Sequence, residues 1–349
     1  MKYLLIIFCL LFSVPVQASD QRVMGIQPFP PTAEGDVLTD YKLLIPAYTQ
    51  SVDDVLKAGA RGLFQMHQWR EGEPKVGKYD QQKISGDFSI NRLQDFDQVL
   101  LGIQVINTVK REVPASLRKA SWDSVEMVTA FKNYIDWLAP QMEGKVAMIS
   151  IGNEVDVYLS ENPDEWDSYK SFYDQAVAHI HQVLPGVLVG TTTTFGGLKK
   201  HSEKIRTLNQ NSDVMIMTYY HGIEESGSVK SAPSKDLPAM MALVPDKKLV
   251  LQEAGYATAA SLGGSEDGQV QFVHDMFEAW EQAGDAVPFI SFFMQHDFAP
   301  DTCRTLSGYY GGGKSGVIYD FLCSLGFRDA YGKPKKAWNV LIERAAGLP

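Results

Sequence analysis

The chain has 349 residues, of which 45% are hydrophobic and 21% are charged, and its formal net charge at pH 7 is −10. This length allows an ample core in one large domain or in two smaller ones. The negative charge argues against nucleic acids and anionic membranes as partners, because both repel an acidic surface.

The first 18 residues have the features of a secretory signal peptide. Lys2 precedes an apolar stretch from Leu4 to Val14, and a small-x-small site ends at Ala18. An apolar stretch of about 10 residues is too short to span a bilayer, which needs about 20, although a retained anchor is the alternative. We therefore expect export to the periplasm or the medium, and a mature domain from 19 to 349. Removal of residues 1–18 takes away only the charge of Lys2 and changes the net charge from −10 to −11.

Apolar strand-like segments alternate with amphipathic helical segments along the mature chain, which is typical of an α/β fold with a parallel sheet. No linker or charge block divides the chain. The predicted strands are Val23–Phe29, Gly62–Met66, Val99–Ile106, Val146–Ile151, Val187–Thr192, Val214–Tyr219, Lys248–Gln252 and Pro288–Phe293. The predicted helices include Val125–Leu138, Tyr169–Val183, Gln269–Ala283 and Ala337–Ala346. Eight strand–helix units in one chain predict a single (β/α)8 TIM barrel, whose active site lies at the carboxyl ends of the strands.

Turn and cap residues support these boundaries. Ser124 stands where an N-cap is expected, and glycines follow three of the helical segments, where a left-handed C-cap is common. These glycines are Gly144, Gly186 and Gly284. The region from Thr32 to Ala60, which contains Pro46, and the polar region from Glu71 to Asp97 predict a long loop or an irregular helix beside the substrate cleft.

Two of the predicted strands end in a glutamate. Glu154 follows the fourth strand and Glu253 follows the seventh. A carboxylate at the end of a buried strand lies at the rim of the core, close to water but backed by hydrocarbon. Cleavage of a glycosidic bond requires such a pair, one carboxyl to protonate the leaving oxygen and one to act as nucleophile or base.

The sixth predicted strand ends with Tyr219, Tyr220 and His221. Side chains alternate between the two faces of a strand, so only one of the two tyrosines faces the site, and the sequence does not choose between them. His221 is a further candidate for the lining of the cleft. Packing at the barrel rim is the alternative role for the tyrosines.

The chain resembles glycoside hydrolase clan A in the Asn153-Glu154 pair after the fourth strand and in Glu253 after the seventh. Within that clan, the segment Ile151–Val155 and the Tyr219-Tyr220 step look most like the arabinogalactan endo-β-1,4-galactanase family. The resemblance implies a (β/α)8 barrel and a retaining mechanism without a cofactor. It also implies that Glu154 is the acid/base, that Glu253 is the nucleophile, and that Asn153 donates a hydrogen bond to the sugar 2-hydroxyl.

Other strand ends carry candidate sugar contacts. His67 and Trp69 follow the second strand and Asn107 follows the third, and each has loop packing as its alternative role. The eighth strand lacks the tryptophan that clan A members usually carry there. Phe293 or Gln295 is the candidate substitute, which leaves the shape of the subsite at the cleavage point open.

Cys303 and Cys323 are the two cysteines of the mature chain. In an oxidising compartment we expect them to form a disulfide, and two buried free thiols are the alternative. The segment Gly308–Ser315 between them matches the letters of a phosphate-binding loop but follows no predicted strand. We therefore interpret it as a flexible loop flanking the cleft and expect no nucleotide as a partner.

No metal or cofactor is expected, since His179 and His181 are two residues apart on a helix and point in different directions. The sequence therefore predicts an exported, monomeric, retaining hydrolase of β-linked poly- or oligosaccharides that contacts neither nucleic acid nor, after signal cleavage, a membrane. A non-catalytic carbohydrate-binding barrel is one alternative. A transglycosylase that remodels an envelope glycan is the other, because the same carboxylates can serve transfer.

Overall fold

The computed structural model describes residues 22–32, 41–221, 232–312 and 316–348, with the backbone alone at 41–43 and 221. The predicted signal peptide, residues 1–18, lies outside the described residues. Ten strands lie within them: β1 (Val23–Ile26), β2 (Gly62–Gln68), β3 (Gln98–Asn107), β4 (Lys110–Arg111), β5 (Met148–Asn153), β6 (Leu188–Gly190), β7 (Thr192–Thr194), β8 (Val214–His221), β9 (Lys248–Tyr256) and β10 (Phe289–Phe292).

Nine of these strands form a parallel sheet that closes into a barrel. The strand order is β6-β5-β3-β2-β1-β10-β9-β8-β7. The short strand β4 pairs antiparallel with the carboxyl end of β3. The two ends of the order, β6 and β7, are separated in the chain by Thr191 alone, and they pair with β5 and β8 respectively. One interrupted stretch therefore closes the sheet and corresponds to the predicted fifth strand. The prediction of a single TIM barrel is confirmed.

Helices surround the barrel. Those in the described residues are α1 (Tyr41–Lys57), α2 (Trp69–Gly72), α3 (Gln81–Ile90), α4 (Val125–Met142), α5 (Val155–Glu161), α6 (Trp166–Val183), α7 (Phe195–Leu208), α8 (Pro233–Leu243), α9 (Glu266–Ala283), α10 (Pro300–Tyr309), α11 (Val317–Leu322) and α12 (Lys336–Ala345). The Ser124 hydroxyl accepts a hydrogen bond from the Met127 amide at 3.3 Å, as an N-cap does. None of the described helices is both long enough and apolar enough to cross a membrane.

Of the two alternatives expected between Thr32 and Ala60, a long loop or an irregular helix, residues 41–57 form a helix, α1, which contains Pro46. A proline inside a helix costs about 3 kcal/mol. Burial of an aliphatic side chain stabilises by about 1.5–3 kcal/mol, and α1 buries both Val52 and Val55 completely. Tertiary burial therefore outweighs the local penalty.

The core has two layers. Side chains on one face of each strand fill the barrel, among them Phe64, Leu100, Ile216 and Phe289. Side chains on the other face pack against the helices in a second, larger cluster. The carboxyl ends of the strands, where the interior opens, are the place at which polar side chains replace this apolar filling.

The disulfide between Cys303 and Cys323 joins α10 to the residue after α11, across a sequence separation of 20 residues. We expect its reduction to lower the free energy of unfolding by about 3 kcal/mol, because the bond limits the conformational entropy of the unfolded chain. Urea unfolding of the oxidised and the reduced mature protein measures the difference. Labelling of two free thiols under denaturing, non-reducing conditions would contradict this prediction.

Candidate active site

Glu154 follows a break in strand β5. Gly152 has a φ of 85°, and a Cβ at this position would overlap side chains of α5 and α6. The pairing of β5 with β3 is also irregular here, between Ile103 and Asn107 on β3. The break ends the regular alternation of side chains, so the residues after Gly152 are free to turn toward the barrel mouth.

Glu154 and Thr108 both have left-handed backbone conformations, with φ values of 48° and 50°. Such a conformation costs a non-glycine residue about 1–2 kcal/mol. Two hydrogen bonds connect Thr108 to this segment of β5. The Thr108 amide donates to the Asn153 carbonyl at 2.9 Å, and the Thr108 hydroxyl donates to Glu154 Oε2 at 2.8 Å. Strain of this kind persists where the surrounding structure fixes it, and it concentrates at functional sites.

A β-bulge in β9 turns two successive side chains, Gln252 and Glu253, into the barrel. Along the pairing with β8, Met217 is opposite Leu251 and Thr218 is opposite Glu253, which leaves Gln252 as an extra residue. The pairing of β9 with β10 shifts at the same place. In a regular strand one of the two side chains would point into the helix layer, so the bulge is the reason that both reach the site.

Thr218 brings the two carboxylates together. Its backbone is paired with Glu253, and its hydroxyl donates to Glu154 Oε1 at 2.7 Å. The Thr218 hydroxyl thus contacts the carboxylate of Glu154 from the strand that is paired with Glu253, and the charge of Glu154 acts on Glu253. Glu253 is 8% exposed. Glu154 is partly exposed, so the two glutamates form a pair at the mouth of the barrel in which Glu253 is the more buried member.

Burial governs the protonation of the pair. Burial, followed by the negative charge of Glu154, raises the pKa of Glu253 to about 8, while hydrogen bonds from Tyr220 and Gln252 lower it. Burial also raises the pKa of Glu154, and the hydroxyls of Thr218 and Thr108 lower it. Because the charge of one carboxylate opposes ionisation of the other, the pair loses its two protons in two separate steps.

The structure decides between the two tyrosines. Tyr220 lies on the interior face of β8 and its hydroxyl donates a hydrogen bond to Glu253 Oε2. Tyr219 is fully buried on the opposite face, where its hydroxyl donates to Asp236 Oδ2 at 2.6 Å. Tyr220 is therefore the tyrosine of the site, and Tyr219 belongs to the helix layer. The side chain of His221 lies outside the described residues.

A chain of side-chain amides connects the strand ends. Asn153 donates from Nδ2 to Asn107 Oδ1 at 3.1 Å, and its Oδ1 accepts from Gln252 Nε2 at 2.7 Å. Gln252 Oε1 accepts from the Thr192 hydroxyl at 2.6 Å. The structure thus brings the predicted Asn107 and Asn153 together with the glutamate pair.

The structure does not bring the predicted sugar contacts on β2 and α2 to the site. His67 is 3% exposed and its Nε2 is hydrogen bonded to the Tyr134 hydroxyl on α4 at 2.5 Å. Trp69 is fully buried, and its indole donates to Glu73 at 2.7 Å. The physical reason is strand alternation: Phe64 fills the barrel, so the residues at odd positions of this segment face the helices.

Phe293 and Gln295, the candidates for the missing tryptophan, differ in placement. The ring of Phe293 packs edge-on against that of Tyr220, with 6.3 Å between the ring centroids, and so lies beside the Tyr220–Glu253 pair. Gln295 is completely buried, and its amide nitrogen and oxygen have no hydrogen-bond partner among the described residues. Phe293 is therefore the candidate that the ring contact places beside the site.

Sequence reasoning missed four residues of the site. Thr108 and Thr218 hold Glu154, and Gln252 holds Asn153. Tyr310, in the segment first interpreted as a flexible loop, has a pKa that is raised by burial and then by the charges of Glu154 and Glu253, and lowered by the Asn107 side chain. Thr218 lies two residues before Tyr220 on the same strand face, so it is recognisable once Tyr220 is known to face the site. Nothing local marks the other three.

One further pocket lies at the same end of the barrel. Its volume is about 160 Å³, and its lining, which excludes the two glutamates, comes from the ends of β1 and β2 and from α1 and α3. The polar lining residues include Gln27, Gln65, Lys83, Asp87 and Asn91. In the part of the chain that the structure describes, no group of three or more His, Cys, Asp or Glu side chains is arranged to hold a metal ion.

Comparisons with known proteins show the fold. No family model matches the chain, and no curated protein matches it in sequence. An exo-β-1,4-mannosidase from Opitutaceae bacterium strain TAV5 superposes with a TM-score of 0.72 and 16% identity over 94% of this chain and 60% of the mannosidase. The chain therefore spans less than two thirds of that enzyme.

Two further solved structures are similar. A GH5_18 variant from Streptomyces cattleya, in complex with Manβ1-4GlcNAc, gives a TM-score of 0.71 and 14% identity over 93% of this chain and 80% of that one. A family 39 glycoside hydrolase from Bacteroides cellulosilyticus WH2 gives 0.66 and 13% over 94% and 64%. The fold is that of these TIM-barrel proteins. None of the three is a galactanase, so the finer resemblance to that family gains no support from them.

Proposed function

We propose that this protein is a retaining glycoside hydrolase that cleaves β-linked oligo- or polysaccharides by double displacement. The observation that carries the proposal is the carboxylate pair at the barrel mouth, in which the Thr218 hydroxyl bonds Glu154 while its backbone pairs with Glu253. Retaining cleavage uses two carboxyl groups about 5–5.5 Å apart. Glu154 and Glu253 come from two strands that are not neighbours in the sheet, and the Thr218 hydroxyl brings their carboxyl groups to the same barrel mouth, which supports such an arrangement.

The hydrogen-bond donors favour Glu253 as the nucleophile. Gln252 Nε2, 3.4 Å from Glu253 Oε1, can only donate, and the Tyr220 hydroxyl donates to the other oxygen. Both contacts stabilise the ionised form. Glu154 instead faces the hydroxyls of Thr108 and Thr218, which can accept as well as donate. The single proton of the pair is therefore best held on Glu154, as an acid/base requires.

The chemical steps follow from these roles. Glu253 attacks the anomeric carbon and forms a glycosyl–enzyme ester, while Glu154 gives its proton to the oxygen of the breaking glycosidic bond. Glu154, now ionised, then takes a proton from a water molecule. The oxygen of that water attacks the anomeric carbon and releases Glu253. Each step inverts the anomeric centre, so the overall result is retention.

A β-mannoside is the first substrate class to test. The similar structures include an exo-β-1,4-mannosidase and a protein in complex with Manβ1-4GlcNAc. In this chain, Asn153 has its amide nitrogen oriented toward Asn107 at the barrel mouth, where a sugar 2-hydroxyl would accept a hydrogen bond. Phe293 beside Tyr220 offers an aromatic edge in the place of the absent tryptophan.

Export is part of the same proposal. The signal-like residues 1–18 and the disulfide between Cys303 and Cys323 both suit an oxidising compartment. Mass determination of the mature protein from the periplasm or the medium tests the cleavage site. We also propose that the protein acts as a monomer, which light scattering of the purified protein tests.

The test of the function is a screen of the mature protein against β-linked glycans and aryl β-glycosides, with Glu154→Gln and Glu253→Gln in parallel. We expect the wild-type protein to cleave at least one substrate and both variants to lose that cleavage. Each substitution replaces a carboxyl group with an amide and leaves the shape of the side chain nearly unchanged. Binding of glycans without turnover would instead establish a carbohydrate-binding protein. Variants that match wild type on every cleaved substrate would show that the site lies elsewhere.

A further inference from the structure

Gln252 occupies a central position in the polar interior of the barrel mouth. It is completely buried, and the bulge in β9 directs it inward next to Glu253. Its amide contacts three other side chains: Nε2 is 2.7 Å from Asn153 Oδ1 and 3.4 Å from Glu253 Oε1, and Oε1 is 2.6 Å from the Thr192 hydroxyl. A buried glutamine with contacts to two groups of the site has more than a filling role.

The charge of Glu253 fixes the orientation of the Gln252 amide. With Nε2 of Gln252 directed toward Glu253 and Asn153, Oε1 of Glu253 and Oδ1 of Asn153 both face a hydrogen-bond donor. With the amide reversed, Oε1 of Gln252 would face the carboxylate and the carbonyl oxygen of Asn153, and three acceptors would meet without a hydrogen between them. Buried acceptors that face one another without a hydrogen are destabilising. An ionised Glu253 therefore holds Nε2 on its own side.

The orientation of Gln252 in turn fixes that of Asn153. Because Oδ1 of Asn153 accepts from Gln252, its Nδ2 must point the other way, where one hydrogen bonds Asn107 Oδ1 at 3.1 Å. A primary amide nitrogen carries a second hydrogen. That second hydrogen remains for a hydroxyl group of the substrate.

We propose that Gln252 is a positioning residue, which aligns the Asn153 amide so that its N–H, and not its oxygen, faces the sugar 2-hydroxyl. This inference rests on the proposed function and adds a determinant of specificity to it. Gln252 itself touches no substrate. Its effect passes through Asn153, and it matters most for sugars that carry a hydroxyl at position 2.

The test compares p-nitrophenyl β-D-mannopyranoside and p-nitrophenyl β-D-glucopyranoside with the 2-deoxy glycoside that is the analogue of both. The quantity measured is the ratio of kcat/KM for the 2-hydroxy sugar to kcat/KM for the 2-deoxy sugar. We expect Gln252→Met to lower this ratio about tenfold. The Asn153 amide would no longer be aligned, so its hydrogen bond to the sugar 2-hydroxyl would be lost in the transition state. A merely structural defect would lower both rates and leave the ratio unchanged.

Three further variants sharpen the result. Thr192→Val removes the hydroxyl that holds Gln252 Oε1 and changes the shape of the side chain little. It should also lower the ratio, and it provides the test if Gln252→Met fails to fold. In an Asn153→Ala background, Gln252→Met should not change the ratio further, since both substitutions act through the same contact of the Asn153 amide with the sugar 2-hydroxyl. Gln269→Met is the matched control, because this buried glutamine bonds only backbone carbonyls of residues 256, 325 and 326.

The outcomes separate the two proposals. An active Gln252→Met or Thr192→Val protein with the wild-type ratio would overturn the positioning role and leave the proposed function intact. A wild-type protein that cleaves none of the probes and no glycan of the wider screen would overturn the proposed function, and the role of Gln252 with it. A lowered ratio in Gln269→Met would also count against a specific role for Gln252.

Discussion

Glu253→Ala is expected to hydrolyse every substrate several orders of magnitude more slowly than the wild type, because no group remains to attack the anomeric carbon. Azide should restore part of the turnover on an activated aryl β-glycoside. The substitution leaves a cavity on the face from which Glu253 attacks, and a small anion fits there. Attack from that face inverts the anomeric centre once, so the product should be the α-glycosyl azide. Proton NMR of the product reads its configuration directly.

The exposed Glu278 on α9 provides the control for this variant, since Glu278→Ala removes the same side chain far from the barrel mouth. It should behave as wild type with and without azide. If Glu253→Ala hydrolysed aryl glycosides at the wild-type rate, Glu253 would have no role as the nucleophile.

Glu154→Ala is expected to fail in a different way. Natural substrates with poor leaving groups should lose most of their rate, because proton donation to the leaving oxygen is gone. A 2,4-dinitrophenyl glycoside needs no such proton, so it should still form the glycosyl–enzyme on Glu253, which then accumulates. Azide should speed breakdown of this intermediate from the side of the missing acid/base. Two inversions then give the β-glycosyl azide, with retained configuration.

The pH dependence of Glu154→Ala provides a second readout. In the wild type the active pair carries one proton, so activity should fall on the alkaline side as that proton leaves. Burial raises the pKa of both carboxyl groups, so this decline should lie at a higher pH than the titration of an ordinary glutamate. In the variant no proton is needed for an activated substrate, and this alkaline decline should disappear. Azide products of inverted configuration from Glu154→Ala would exchange the roles of the two glutamates.

Much of the architecture was open to prediction from local patterns. The alternation of apolar segments with amphipathic helices gave the closed barrel, and Gly144, Gly186 and Gly284 all have the positive φ expected after a helix. Glu154 and Glu253 were recognisable because each interrupts an apolar run at its carboxyl end. Burial of apolar segments and the backbone freedom of glycine are properties of the residues themselves, so the sequence displays them directly.

The side-chain directions at the strand ends were less predictable. His67 and Trp69 were predicted to contact sugar, although the period-2 alternation that places Phe64 in the barrel directs them to the helices. The opposite problem arises at Gln252 and Glu253, where alternation predicts that only one faces inward and the bulge brings both. A bulge depends on the pairing of β9 with its two neighbours, and no local pattern reports it.

The sequence by itself determined the fold class and the two carboxylates, because these depend on hydrophobic periodicity and on residue type. It did not determine the ends of the strands, since Glu253 lies inside β9, which continues to Tyr256. Tertiary structure decided which atoms surround the carboxylates. Thr108 and Thr218 reach Glu154 from 46 and 64 residues away, and Thr192 reaches Gln252 from 60. These contacts exist only because the closed sheet brings distant strand ends to one mouth.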